Sequence, residues 1–257
     1  MGNCNHLPAS GRADRLAGPR PAEPGVPQRF RQASESTRRR QRFPARPVTA
    51  ESDAGDVPRP SVVHPRVAAI VLAGGRSRRF GSDKLAAHLD GVALIDHAVG
   101  TLPDDWLVIM VGPPRRLDSD RKIITVREQP PGSGPAAALV TGFRTALDHG
   151  IDRVVTLPGD APGAGIAAVR LVDELSTLGP DAAVVGVDAE EVEQPLQLAL
   201  SGSVLHRLAA RTDVADFSAR NLLPDLGDYR RLRLPAELVD DVDTLDDLAR
   251  LRRSQAQ

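Results

Sequence analysis

Short runs of apolar residues alternate with longer amphipathic stretches from Val67 onward. Five runs are predicted to be strands, and the amphipathic stretches between them are predicted to be helices. The predicted strands span 67–72, 106–111, 122–126, 153–157 and 182–187, and the predicted helices span 94–102, 136–149 and 166–178. Continuous apolar strands indicate a sheet covered on both faces. The pattern therefore predicts an α/β fold with a Rossmann-like, doubly wound, mostly parallel sheet.

The alternation becomes less regular after residue 187. The sequence predicts a strand at 194–200, helices at 204–210 and 215–223, and a last helix at 245–252. Asp243 or Thr244 is the expected N-cap of that last helix, which carries acidic residues in its first turn, where they suit the helix dipole. Residues 66–257 are thus predicted to form one domain.

Residues 1–65 have a different character, because they hold ten of the 22 prolines and no periodic apolar pattern. Proline removes an amide donor, and so little apolar surface cannot offset the entropy of the chain. We predict a disordered Arg/Pro-rich arm. Its arginines at 38–40 are candidates for contact with RNA, an acidic partner or a membrane surface, although a solvated tail or an upstream mis-assigned start codon is the simpler interpretation. The acids and prolines fit an amphipathic targeting peptide poorly.

The formal net charge of −1 hides an uneven distribution. Residues 1–66 carry twelve arginines and six acids, a net +6, which leaves −7 for the remainder. A near-neutral balance argues against a nucleic-acid or membrane-surface binder. The single cysteine, Cys4, excludes an intrachain disulfide and a cysteine-rich zinc site. Without a long apolar stretch or a secretory signal, the chain is expected to be cytoplasmic, with no membrane and no nucleic-acid partner.

The segment after the first predicted strand carries the strongest chemical pattern. Two adjacent glycines in Leu72-Ala73-Gly74-Gly75 allow close approach of the backbone to an anion, and Arg76, Arg78, Arg79 and Lys84 follow with positive charge. The spacing matches neither a Walker A loop nor a Rossmann dinucleotide motif. It indicates a phosphate-binding loop, with an ordinary tight turn as the alternative.

The loops after the third and fourth predicted strands offer two further candidates. Gly134 and Pro135 begin a helix whose free amides could face a polar ligand. Asp160, between prolines, is placed to bind a hard cation such as Mg2+, which prefers oxygen ligands. A simple turn and a helix N-cap are the respective alternatives. The acidic cluster at 240–243 also precedes a helix, so capping is its alternative role.

Taken in chain order, these segments resemble the MobA-like NTP transferases, a family that includes the molybdenum cofactor guanylyltransferases. The resemblance covers about residues 67–252. The matching segments are Leu72–Lys84, Gly134–Pro135, Asp160 with Pro162, Gln194–Leu200 and Asp241–Asp247.

The resemblance implies a nucleotide-diphospho-sugar transferase type of fold and a nucleotidyl transfer reaction. The resemblance implies GTP or another NTP and a phosphorylated acceptor, molybdopterin, as substrates, with a molybdoenzyme or pathway protein as a further partner. Leu72, Ala73, Gly74 and Gly75 would hold the base and sugar, and Gly134 and Pro135 would complete the nucleotide site. By the same resemblance, Arg79 would neutralise the leaving pyrophosphate and Lys84 would contact the α-phosphate. Asp160 would bind Mg2+, and Asp243 would be a second ligand or a water-mediated partner.

Several positions depart from the family pattern. Gln129 replaces an acid that often reads the nucleotide in relatives, and Ala136 and Ala138 replace the usual Leu and Gly. The glycine loop favours guanine, whereas the aspartates at 241 and 243 are closer to cytidylyl relatives. Two alternatives therefore stay open: a transferase acting on another phosphorylated acceptor, such as a sugar 1-phosphate, or a non-catalytic nucleotide-binding accessory protein.

Overall fold

The computed structural model describes residues 67–75 and 80–255. The predicted disordered arm at 1–65 lies outside these residues. Within the described ranges, no helix has both the length and the apolar composition needed to cross a bilayer.

A seven-stranded sheet forms the centre of the described structure, and a two-stranded hairpin lies apart from it. The strands are β1 (Ala68–Leu72), β2 (His88–Leu89), β3 (Val92–Ala93), β4 (Leu107–Val111), β5 (Ile123–Val126), β6 (Arg153–Pro158), β7 (Ala183–Val187), β8 (Glu193–Ser201) and β9 (Arg230–Arg233). The order in the sheet is β5-β4-β1-β6-β8-β7-β9. Only β8 among these seven runs antiparallel to its neighbours. The predicted α/β fold with a mostly parallel sheet is confirmed.

Helices cover both faces of the sheet. They are α1 (Leu94–Gly100), α2 (Pro135–Asp148), α3 (Ala164–Ser176), α4 (Gly202–Ala209), α5 (Ala236–Val239) and α6 (Leu245–Gln255), with 3-10 helices at Lys84–Ala86 and Ala219–Leu226. One apolar core lies between the sheet and α2, α4 and the second 3-10 helix. The other lies between the sheet and α1 and α3. This double cover explains why the central strands are apolar on both sides.

Strand β1 lies between β4 and β6, and all three run in the same direction. Leu72, its last residue, is in register with Val111 of β4 and Pro158 of β6. The segments that follow these three strands therefore meet at one edge of the sheet. Because β8 runs antiparallel, its first residues lie at this same carboxyl edge.

The prediction of a helix at 215–223 is wrong. The chain instead forms a loop through Asp216, whose φ is +60°, and then the 3-10 helix Ala219–Leu226. A capping box between Ser218 and Asn221 begins this helix, and Pro224 within it is incompatible with a regular α-helical hydrogen-bond ladder.

Two sheet elements were not predicted because they lack an apolar run. Strand β9 contains three arginines in four residues and lies at the edge of the sheet, paired in parallel with β7. The β2–β3 hairpin turns at Asp90 and Gly91, which have φ values of +51° and +86°. An Asp-Gly pair with positive φ is typical of a type I′ turn.

Candidate active site

The glycine loop begins directly at the end of β1 and is fixed by the two neighbouring strands. The Ala73 N–H donates to the Val111 carbonyl at 2.9 Å, and the Gly159 N–H donates to the Leu72 carbonyl at 3.0 Å. Gly75 has a backbone φ of +135°, a value that residues other than glycine rarely adopt. Arg79, expected to neutralise pyrophosphate, lies outside the described residues and stays a prediction.

Arg115, in the loop after β4, contacts both the start and the end of the segment from Ala73 to Asp83. Its Nε donates to the Ala73 carbonyl at 3.3 Å, and its guanidinium forms an ion pair with Asp83. Asp83 in turn accepts a hydrogen bond from the Leu85 N–H, at the start of the 3-10 helix that carries Lys84. Arg115 was not predicted, since the arginine pair Arg115-Arg116 in a loop matches no recognisable motif.

Lys84 joins two of the predicted metal ligands. Its Nζ forms an ion pair with Asp160 and lies 3.0 Å from Oδ1 of Asp243. Partial burial acts to lower the pKa of the Lys84 ammonium, but hydrogen bonds and negative charge from the two aspartates outweigh burial and raise this pKa above its ordinary value. The side chain is therefore positively charged at neutral pH, beside the carboxylates.

Residues 241–243 are brought to this position by a backbone contact. The Val242 N–H donates to the Asp160 carbonyl at 3.0 Å, and the Val242 side chain is fully buried among apolar residues. Carboxylate oxygens of Asp160, Asp241 and Asp243 all lie within 4.8 Å of one another. Asp241 was in the predicted acidic cluster but was not assigned as a metal ligand.

Three carboxylates so close together repel one another. The pKa of Asp241 lies above its ordinary value, first because surrounding atoms remove water from the carboxyl, although the residue as a whole is exposed. The negative charges of Asp160 and Asp243 raise it further, while Lys84 partly offsets them. A divalent cation would relieve this repulsion, and an all-oxygen donor set suits Mg2+. The residues present therefore fit the expected metal.

Helix capping does not account for Asp160 or Asp243. The N-cap of α3 is Gly163, three residues beyond Asp160. At the start of α6, the Asp247 N–H donates to the Thr244 hydroxyl at 3.2 Å, and Asp247 accepts from the Thr244 N–H at 2.9 Å. Asp247 also accepts from the Asp243 N–H, so it holds the backbone of Asp243 in place. Hydrogen bonding, chiefly from the Thr244 hydroxyl, lowers the pKa of Asp247.

A cavity of about 430 Å3 lies at the carboxyl edge of the sheet. Six of the predicted nucleotide-site residues line it, together with Leu196 from the predicted acceptor segment. These six are Leu72, Gly74, Gly75, Gly134, Pro135 and Asp160. Ala73 is fully buried and Lys84 is not among the lining residues, although Lys84 forms an ion pair with Asp160, which does line the cavity. The volume is in the range of small-molecule sites.

The turn at Gly134 is braced by the loop at 216–217. Gly134 has a φ of +92°, and Pro135 begins α2. The Asp216 N–H donates to the Ser133 carbonyl at 2.7 Å, and the Ala136 N–H donates to the Phe217 carbonyl at 3.3 Å. One of the helix amides expected to be free is thus already hydrogen-bonded within the protein.

Position 129 carries glutamine instead of the family's acid, but the preceding residue, Glu128, is an acid that lines the cavity. Gln129 is exposed, whereas Glu128 is only 8% exposed and lines the cavity. Oε1 of Glu128 accepts from the Gly132 N–H at 2.8 Å. Glu128 was not predicted, because the acid of the family pattern corresponds to the neighbouring position, Gln129.

Comparisons with known proteins identify the family and the fold. A family model described as the MobA-like NTP transferase domain matches residues 69–229. A probable molybdenum cofactor guanylyltransferase of Mycobacterium avium is 30% identical over 207 residues, covering 74% of this chain and 98% of the relative. One from Mycobacterium bovis is 34% identical over 156 residues, covering 58% and 70%. The crystal structure of a homologue of Mycobacterium tuberculosis Rv0371c, from Mycobacterium sp. strain JC1, is 26% identical and has a TM-score of 0.56, with coverage of 75% and 98%.

Proposed function

Because the chain belongs to the MobA-like NTP transferase family and is a nucleotidyltransferase of this kind, we propose that it transfers GMP from GTP to the phosphate of molybdopterin, with Mg2+ as its cofactor. One observation carries the proposal. Asp160 belongs both to the cavity lined by Gly74 and Gly75 and to the carboxylate cluster that Lys84 contacts. The cavity proposed to bind the nucleotide and the carboxylates proposed to bind the metal therefore share one residue.

The proposed reaction makes modest demands on the protein. A phosphate oxygen of the acceptor attacks the α-phosphorus of GTP and forms a new P–O bond. The bond to the β-phosphate oxygen breaks in line with it, and pyrophosphate leaves with that electron pair. The nucleophile is already an anion, so no strong general base is required. Catalysis then depends on positioning and on neutralising negative charge.

Each candidate site residue that the structure describes has a role in this scheme. Gly74 and Gly75 allow the backbone to approach the nucleotide closely, and Lys84 neutralises charge at the α-phosphate. Asp160, Asp241 and Asp243 would hold Mg2+, which when bound supplies positive charge to the phosphates and orients them. Arg79, outside the described residues, is proposed to act on the leaving pyrophosphate.

The proposal is tested by incubating the purified protein with GTP, Mg2+ and molybdopterin and measuring pyrophosphate. We expect release by the wild-type protein and a loss of at least about a hundredfold in Asp160→Ala, since removing a group that stabilises transition-state charge typically costs this much. Asp173→Ala, an exposed carboxylate on α3, is the matched control. Equal rates in wild type and Asp160→Ala would contradict the proposal.

A second candidate is a transferase for another phosphorylated acceptor, of the cytidylyl or sugar 1-phosphate type. The presence of two aspartates, Asp241 and Asp243, beside Asp160 favours it. A matrix of four NTPs and several phosphorylated acceptors, assayed for pyrophosphate, separates the two. A non-catalytic accessory role, with a molybdoenzyme or pathway protein as partner, predicts that GTP binds and no acceptor in the matrix releases pyrophosphate.

A further inference from the structure

Helix α5 is little more than a single turn, and it leads directly into the segment that carries Asp241 and Asp243. One turn of helix is not stable by itself, because its nucleation fixes several residues for very few hydrogen bonds. The position of α5 therefore depends on contacts with the rest of the fold. Those contacts in turn decide where the two aspartates lie relative to Asp160.

Two backbone contacts join α5 and the segment after it to the loop that carries Asp160. A Cβ atom at Gly163 would lie 2.2 Å from the Glu237 carbonyl oxygen, so this loop and α5 pack more closely than any residue with a side chain would allow. Further along the chain, the Val242 N–H donates to the Asp160 carbonyl at 3.0 Å. The carboxylate cluster is thus assembled by fixing α5 against the loop after β6.

Another contact with α5 comes from a buried glutamine of β8. Gln197 is only 2% exposed, and its Nε2 donates to the Leu238 carbonyl at 2.7 Å. Leu238 itself packs with Ala167 and Leu234 in a small apolar cluster. Because a carbonyl oxygen only accepts, this hydrogen bond fixes which end of the Gln197 amide faces α5.

Stability does not explain a glutamine at this position. Oε1 of Gln197 is enclosed, and no donor reaches it within the part of the chain that the structure describes. A buried amide oxygen without a partner destabilises a fold about as much as a hydrogen bond stabilises it, so the two contributions of this amide largely cancel. An apolar side chain of similar length would fill the same space beside Leu238 without the unpaired oxygen. What glutamine adds is a directional contact with α5.

We propose that Gln197 is a positioning residue for the metal site, because its hydrogen bond to the Leu238 carbonyl keeps Asp241 and Asp243 beside Asp160. This inference rests on the proposed metal-dependent function. It goes beyond that function by assigning metal affinity to a residue that is not itself a proposed ligand. Gln197 does not line the cavity, so its effect passes through the backbone of α5.

The test measures Mn2+ binding by electron paramagnetic resonance in the full-length protein, without nucleotide or acceptor. Gln197→Met removes the hydrogen bond to Leu238 and keeps the length of the side chain. We expect its Mn2+ affinity to fall about tenfold, since groups that orient metal ligands typically contribute at least this much. Its thermal unfolding midpoint should stay within about 5 °C of wild type, because the lost hydrogen bond and the removed unpaired oxygen offset each other.

Ser201→Ala is the matched control, because it removes a buried hydroxyl from the last residue of the same strand. The Ser201 hydroxyl accepts from the Ala182 N–H at 3.3 Å and makes no hydrogen bond to α5. The Mn2+ affinity of this variant should stay unchanged.

Three results would overturn the positioning role. They are an unchanged Mn2+ affinity in Gln197→Met, an equal fall in Ser201→Ala, and an unfolding midpoint of Gln197→Met more than about 5 °C below wild type, which would assign Gln197 to the stability of the fold. If the wild-type protein binds no Mn2+, the proposed metal-dependent function fails as well. If wild type and Gln197→Met bind Mn2+ equally, only the positioning role fails.

Discussion

At the level of single residues, Lys84 contacts the carboxylates that the proposed divalent cation would use. The Lys84 ammonium contacts Asp160 and lies 3.0 Å from Asp243, two of the three proposed metal ligands. The raised pKa of Lys84 shows that these aspartates favour its charged form. A metal ion bound by these aspartates would displace or share the Lys84 ammonium, which would then be available for a phosphate.

Lys84→Met should consequently have opposite effects on metal binding and on turnover. Without nucleotide, its affinity for Mn2+, measured by electron paramagnetic resonance, should rise severalfold because a neighbouring positive charge is removed. Pyrophosphate release should fall by about a hundredfold or more, because charge at the α-phosphate is no longer neutralised. Lys122→Met, at an exposed position, is the control. Unchanged or weaker Mn2+ binding in Lys84→Met would argue against this competition.

Asp241 should cost stability when no metal is bound. Its pKa is raised in the fold, chiefly by loss of water and then by Asp160 and Asp243. Folding therefore favours the protonated form, and the unfavourable contribution appears as the pH rises through the raised pKa of the folded state. It is absent below the unfolded pKa, near 3.8.

In chelator, Asp241→Asn should thus unfold about 1–2 °C above wild type at pH 7, and the difference should disappear near pH 3. Differential scanning calorimetry measures this. Added Mg2+ should stabilise wild type more than the variant, because the variant has lost a ligand. A variant that is less stable than wild type at pH 7 in chelator would show that Asp241 is not repelled by its neighbours.

Gly74, Gly134 and Asp160 share a common property: each lies in a loop that follows a strand at the carboxyl edge, whereas Asp243 follows α5. Position alone therefore predicted the meeting of Gly74, Gly134 and Asp160. Glu128 also follows a strand, but its inward orientation depends on the turn to Gly132, which no periodicity reveals.

At the scale of elements, the loop after β1 depends on the close approach of the loop after β4. A Cβ atom at Gly112, whose φ is +154°, would lie 2.6 Å from the backbone carbon of Ala73. Only glycine allows the two segments to pack at this distance. This contact helps to fix the position of the backbone at Gly74 and Gly75.

Gly112→Ala should therefore destabilise the protein by about 1–3 kcal/mol, as overpacking against backbone does, and raise KM for the nucleotide. Gly100→Ala is the control, since a Cβ there meets no atom within 4 Å. Urea unfolding with an unchanged m-value, together with initial-rate kinetics, checks both parts. Equal stability of the two variants would mean that the loops do not depend on this packing.

The elements themselves were predictable wherever they were apolar. Strands β1, β4, β6 and β7 lie close to their predicted bounds, because both faces are buried. Strand β9 was not predicted, because it has arginines in place of an apolar run. At the edge of the sheet these arginines form ion pairs, with Glu191 and Glu174 among their partners. The hydrogen bond from Val242 to Asp160 likewise joins residues far apart in sequence, so the complete carboxylate cluster emerged only from the fold.

For the molecule as a whole, the apolar cores on both faces of the sheet and the lining of the cavity all belong to residues after position 66. The matched family region, 69–229, also lies within residues 67–257. We expect a protein comprising only residues 67–257 to retain kcat/KM within about twofold of the full chain, since a domain with its own core folds and acts alone. Steady-state kinetics of the two proteins would reveal any larger contribution from residues 1–66.

Nucleotidyl transfer requires attack at the α-phosphorus of GTP, and the position of an isotope label in the products distinguishes this attack from other reactions of GTP. The protein is incubated with molybdopterin, Mg2+ and GTP labelled at either the α- or the γ-phosphate, and the products are separated by chromatography. We expect the α-label to join the molybdopterin product and the γ-label to leave in pyrophosphate, and we expect neither labelled product with Asp160→Ala. Release of the γ-label as inorganic phosphate, or an α-label that remains in free nucleotide, would contradict this expectation.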